Sequence, residues 1–245
     1  MILFSPEYLQ YTLMGIILLP GILFAAYTSY KVNSTFKKYQ KVLSSKGITG
    51  ADACKKILDA QGVYGVTIKL SNKDDLNDNF NPTTNTITLS KSVYNGTDIA
   101  ALGIAAHETG HAIQYAKKYA PIKVRTILAQ TSNIVSTFVW PLVIIGIILN
   151  FAYAGGIAGN IFLWAGVGVF GLSLLFSLIT LPVEFNASKR AINLLVQSGC
   201  VDAVEVKGAK QVLSAAALTY VAAVVVAALE LARFLLYFIL RSRDE

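Results

Sequence analysis

From Thr126 to Val183 the chain runs 58 residues without an Asp, Glu, Lys or Arg, and few folds accept such a block. About 20 apolar residues cross a bilayer as one helix. The block is too long for one span and fits two, broken near Asn150–Asn160, where Gly155, Gly156 and Gly159 mark a turn. Another uncharged run, Gln10–Tyr30, has the length of a single span, and a last apolar run from about Val212 to Leu240 holds only Glu230 and Arg233. Charged residues are 14% of the chain, against about 25% in soluble domains. The pattern predicts a membrane α-helical protein with four transmembrane helices: one within 1–30, two within 126–183 and one within 212–245.

Two polar regions remain, 31–125 and 184–211. In the first, Thr49 with Asp52 three residues later makes a capped helix start, running to about Gln61 and ended by Gly62. Val63–Leu70 has strand character, Asn81-Pro82 opens a turn, and Thr86–Ser90 alternates as a second strand. Thr97 and Asp98 sit where an N-cap belongs, before a helix from about Ile99 to Lys118. The expected region is small and α+β. In the second, a short helix from Glu184 to about Ser198 is expected, closed by Gly199.

Charge orients the chain. Residues 31–125 hold 14 of the 21 Lys and Arg residues and 184–211 hold four more, while the stretch before Lys31 and the 150–160 turn hold none. By the positive-inside rule both polar regions face the cytoplasm, at the plasma membrane; Arg241 and Arg243 after the last span argue the other way. The net charge of +7 is scattered among acids, and no aromatic-basic platform for nucleic acid appears. Lipid bilayer, not nucleic acid, is the expected contact. The two cysteines, Cys54 and Cys200, lack CxxC spacing and read as reduced structural thiols. With no basic residue before Lys31, a cleaved signal peptide is not expected.

The chemistry concentrates in Ala105-Ala106-His107-Glu108-Thr109-Gly110-His111-Ala112, which holds both histidines of the chain. Histidines four residues apart lie on one helix face, so both imidazoles reach a single metal. Glu108 lies beside that metal, where it can take a proton from a water whose pKa zinc lowers to about 7. A zinc hydrolase needs a third protein ligand and an open position. With no further His, that ligand is a carboxylate, a cysteine or a group outside the chain. Glu184 is the leading candidate: two spans separate it from His111, so it returns to the same side of the membrane. A helix-start carboxylate favoured by the macrodipole is the plainer reading of the same residue.

His107-Glu108-Thr109-Gly110-His111-Ala112-Ile113-Gln114, the Pro82…Leu89-Ser90 strand before it and Glu184-Phe185-Asn186-Ala187-Ser188 after it resemble the YugP-type neutral zinc metallopeptidases, and more distantly the HtpX-like membrane gluzincins. The resemblance runs from Gly47 into the last span. It implies one Zn²⁺ per chain held by His107, His111 and Glu184, Glu108 as catalytic base, and a polypeptide substrate, membrane-associated or misfolded. Ser188 stands where the wider group has Asp, and a hydroxyl there can still orient an imidazole. Asp78-Asn79-Phe80-Asn81-Pro82 lacks the His that the YugP-type group often carries in this loop.

Further candidates carry less. Thr86, Ile87, Thr88, Leu89 and Ser90 can form an edge strand that pairs with an extended substrate, or simply a strand of the sheet. Arg190, Tyr94 or Tyr115 can supply electrophilic help to a developing oxyanion, though packing roles suit them equally. Glu230 and Arg233 pair at i,i+3 as a structural feature. An intramembrane protease does not fit, because only eight apolar residues, Ile99–Ala106, precede His107. A transporter would show broken or polar helices at mid-membrane. A non-catalytic zinc-binding scaffold is the alternative to the enzyme, and the intact Glu108 speaks against it. Oligomeric state is not written in the sequence.

Overall fold

A computed structural model of the chain describes residues 15–72, 78–152 and 157–241. The elements in order are α1 (Leu19–Tyr39), α2 (Gly50–Ala60), β1 (Thr67–Leu70), β2 (Asn79–Asn81), β3 (Thr86–Leu89), α3 (Lys91–Tyr94), α4 (Ile99–Ala116), α5 (Ala120–Ala152), α6 (Ile157–Gln197) and α7 (Val206–Arg241). The described residues are mostly helical with one small sheet. Among the described residues, α6 and the Val206–Leu236 part of α7 are long and apolar enough to cross a membrane by length and composition. The Gln10–Tyr30 run lies partly outside the described residues, as do Gly155 and Gly156 of the expected turn.

The chain folds as two compact units. One gathers the described residues up to Tyr27 with Val124–Thr180 and those from Tyr220 onward. It is built from apolar helices, with Phe170 stacked on Phe234 at 4.8 Å between ring centroids. Glu230 and Arg233 form an i,i+3 ion pair at 2.6 Å, as their spacing predicts.

The other unit comprises Thr28–Lys123 and Leu181–Thr219. Its α2 starts where expected: the Thr49 hydroxyl accepts from Asp52 N at 3.1 Å while the Asp52 carboxylate accepts from Thr49 N at 3.3 Å. Ala53, Cys54, Ile57 and Leu58 form its buried stripe, packed on Ile87 and Leu89 of β3, Leu102 and Ile113 of α4, Leu195 of α6 and Leu213 of α7. Both cysteines are free and buried. The connection between α6 and α7 is clasped to the one after α1: Ser45 N and Oγ donate to Glu205 and Asp202 at 2.6 and 2.9 Å, and Lys46 pairs with Asp202 at 2.7 Å. Both acids are thus engaged there, away from the histidines.

Three expectations are corrected. The first strand begins at Thr67, not Val63, because Val63 N still donates to Leu58 O at the end of α2 and Gly65 takes φ +78°. The sheet order is β1-β3-β2, with β3 parallel to β1 (Thr67 opposite Thr86) and antiparallel to β2 (Asn79 opposite Thr88). β3 is therefore central, not an edge. Finally, no separate helix begins at Glu184. The 41-residue α6 runs unbroken through Pro182, whose missing N–H removes one helical bond but does not end the helix here.

Candidate metal centre

Helix α4 is placed by its cap and its composition. The Asp98 carboxylate accepts from Ala101 N at 2.9 Å, satisfying an orphan N–H of the first turn. Burial raises the pKa of this carboxyl and the hydrogen bonds it accepts oppose that. Thirteen residues of α4 besides His111 are buried, most of Ile99–Ala106 among them, so the helix is seated deep in the unit. Helix α6 comes close at Gly110. A methyl group there would lie 2.8 Å from the Ala187 carbonyl oxygen, so only glycine lets the α4 and α6 backbones come this near. That contact sits one turn of α6 beyond Glu184.

The result is a triangle. His107 Nε2 and His111 Nε2 are 3.2 Å apart, and Glu184 Oε2 lies 3.1 Å from the first and 3.4 Å from the second. The side chains are 13%, 7% and 1% exposed, in the order His107, His111, Glu184. Among the described residues these form the one group of three His, Cys, Asp or Glu donors close enough to share an ion. Zinc bonds of about 2.0–2.1 Å in tetrahedral geometry separate ligand atoms by roughly 1.63 bond lengths, or about 3.3–3.4 Å. The observed edges match that spacing.

The outer partners show which atoms face inward. Gln114, fully buried, donates through Nε2 to Val183 O at 2.9 Å and to Asn186 Oδ1 at 3.0 Å. A flipped amide would set its oxygen against both acceptors, so Oε1 is left to accept from His111 Nδ1 at 3.0 Å. His111 therefore carries a proton on Nδ1, and as the neutral ring it turns the Nε2 lone pair toward the carboxylate of Glu184. A lone pair buried against a carboxylate oxygen is repulsive without a cation between them. Ser188 Oγ lies 3.1 Å from His107 Nδ1 and can hold the second ring in the same way. Charge, distances and tautomer all fit a divalent ion.

Other residues singled out from the sequence fall into place unevenly. Arg190 Nε donates to Asn186 Oδ1 at 2.7 Å, so this guanidinium braces the Asn186–Gln114 pair. Tyr115 packs on Phe80 with centroids 6.0 Å apart, and Tyr94 packs against the apolar core. Among the described residues neither phenol hydrogen-bonds to the triangle. Thr86, Ile87 and Thr88 are paired on both sides, so they offer no free edge to a substrate, and Leu89 pairs with Leu70 of β1. Ser90 N and Oγ instead donate to the Asp78 carboxylate at 2.8 and 3.1 Å. Gln114 and Asn186 were missed. Gln114 had a signal, since three residues beyond His111 places it on the same helix face. Asn186 had none, because its partner lies 72 residues away.

Two imidazoles and one carboxylate around a shared position are the donor set of a zinc hydrolase, here in a largely helical protein with membrane-length helices. A family model described as "Putative neutral zinc metallopeptidase" matches residues 14–239, and the chain belongs to that family. It is 40% identical over 220 residues, 89% of this chain and 93% of the relative, to the "Putative membrane protease YugP" of Bacillus subtilis (strain 168). No solved structure matches the chain.

Proposed function

We propose that this chain is a membrane-bound zinc endopeptidase acting on membrane-associated or misfolded polypeptides. His107, His111 and Glu184 would hold one zinc, and Glu108 would be the general base. The observation that carries the reading is the triangle of ligand atoms at 3.1–3.4 Å, in a chain of the zinc metallopeptidase family. The ion, when bound, supplies a Lewis acid that polarises a carbonyl and acidifies water. Glu108 follows His107 on α4 and is buried. It accepts the proton of the attacking water and returns it to the departing amine. Gln114 and Ser188 hold the two rings. Four transmembrane helices anchor the chain, with the site facing the cytoplasm of the cell membrane.

The test separates metal from base. Glu108→Gln should retain about one zinc per chain in detergent-purified protein, yet lose casein-type peptidase activity by several orders of magnitude. His107→Ala should lose the metal itself. A Glu108→Gln enzyme as fast as wild type would sink the mechanism, and wild-type protein that holds zinc but shows no peptidase activity would be a scaffold.

A further inference from the structure

We propose that the cleft between the polar ends of α6 and α7 binds an anionic phospholipid, with its phosphate between Lys189 and Lys210. The cleft has a volume of 490 Å³, within the roughly 300–1,000 Å³ typical of small-molecule sites. It lies wholly within residues 181–219 and runs along α6 from Phe185 to Asn193, about 12 Å at helical rise.

Its polarity is graded. The two helices are consecutive, so Asn193 and Lys210 sit toward their connection, while Phe185, Ala217 and Leu218 sit at the opposite end. That opposite end adjoins the apolar parts of both helices: Phe185 comes two residues after the charge-free run ends at Val183, and Leu218 lies within the apolar run of α7 that begins near Val212. Phe185 is 48% exposed there. An amphiphile seated with its chain toward the apolar end and its head toward the connection matches this gradient.

Charge completes the match. Two lysines and no acid line the cleft. Among the described residues neither ammonium has a hydrogen-bond or ion-pair partner. Lysine is a compact point charge suited to a phosphate, and basic residues beside a membrane attract anionic lipid. An extended peptide fits less well. Both walls are helices, whose backbone groups are spent on their own hydrogen bonds, so the cleft offers no edge for a peptide to pair with. A phospholipid needs none.

The experiment uses full-length protein in nanodiscs of equimolar phosphatidylcholine and phosphatidylglycerol, released into native mass spectrometry. Wild type should retain phosphatidylglycerol over phosphatidylcholine by about tenfold. Lys189→Gln with Lys210→Gln should erase that preference, and Ala217→Trp should reduce retention of both lipids. Lys37→Gln with Lys38→Gln, on α1, should leave the preference intact. Circular dichroism on each variant confirms that it is folded. No preference in wild type, or an undiminished one in the Lys189/Lys210 variant, would overturn the proposal. Competition by inorganic phosphate as effective as by phosphatidylglycerol would show a bare anion site. Displacement of the lipid by a water-soluble substrate peptide would show a peptide site. Either result also refutes it.

Discussion

Gln114 lies outside the His107, His111, Glu184 triangle yet holds one of its rings. Its amide is clamped by Val183 O and Asn186 Oδ1, and the remaining oxygen settles where His111 keeps its proton. Gln114→Leu would leave the His111 Nδ1–H unsatisfied in a buried place, at a cost of about 1–3 kcal/mol, and would free the ring to take the wrong tautomer. Loss of such outer partners typically weakens metal affinity by about 10–100-fold. Zinc affinity measured against a competing chelator should fall by that factor with helical content unchanged; an unchanged affinity would remove Gln114 from the site. At this scale the sequence was readable where chemistry is local. His107, Glu108 and His111 lie within five residues, so helical spacing alone brings them together. Glu184 needed a topological argument as well, and Asn186 depends on a contact that no local spacing encodes.

Among the elements, the decisive contact is the approach of α4 to α6 at Gly110. A methyl group would meet the Ala187 carbonyl at 2.8 Å, and backbone cannot yield as a side chain does. Gly110→Ala should therefore destabilise by about 1–3 kcal/mol and loosen zinc, because Glu184 rides on the helix that is pushed away. Gly168→Ala, also on α6 but with nothing within 4 Å of the added methyl, should be neutral or slightly stabilising. Thermal unfolding and zinc content of the two variants test the pair; equal behaviour would mean the approach carries no weight. Helix caps at Thr49 and Asp98 were legible because capping is a short-range pattern. The central place of β3 was not, since Thr86–Leu89 reads the same whether one neighbour or two flank it. The break expected before Glu184 rested on a change in composition after Pro182, and backbone hydrogen bonding does not follow composition.

For the molecule as a whole, the charge asymmetry gives a topology that can be measured. Cysteines placed at Lys55 and Lys207 should be shielded from an impermeant thiol reagent in intact cells, and one at Gly156 should react. The native thiols interfere little: Cys54 and Cys200 are buried, and burial pushes the Cys54 thiol up to about 12, keeping it protonated. Labelling at Lys55 from outside would reverse the orientation and leave the chemistry of the site untouched. The four-span count was read from uncharged runs, which report on solvent preference; these three positions test the two crossings that flank Gly156.

The unbroken α6 has a consequence for how the site can change. Each residue of an α-helix turns the next by about 100°, so the azimuth of Glu184 relative to the Gly110 contact is set by the number of residues between it and Ala187. Deleting one residue between Glu184 and Ala187 would swing the carboxylate about a quarter-turn relative to that contact, though neither the histidines nor Glu184 itself had changed. The exposed Phe185 can thus be exchanged for another side chain more readily than it can be removed. The interval acts as a spacer with a phase, and counting along it belongs to the specification of the candidate metal centre.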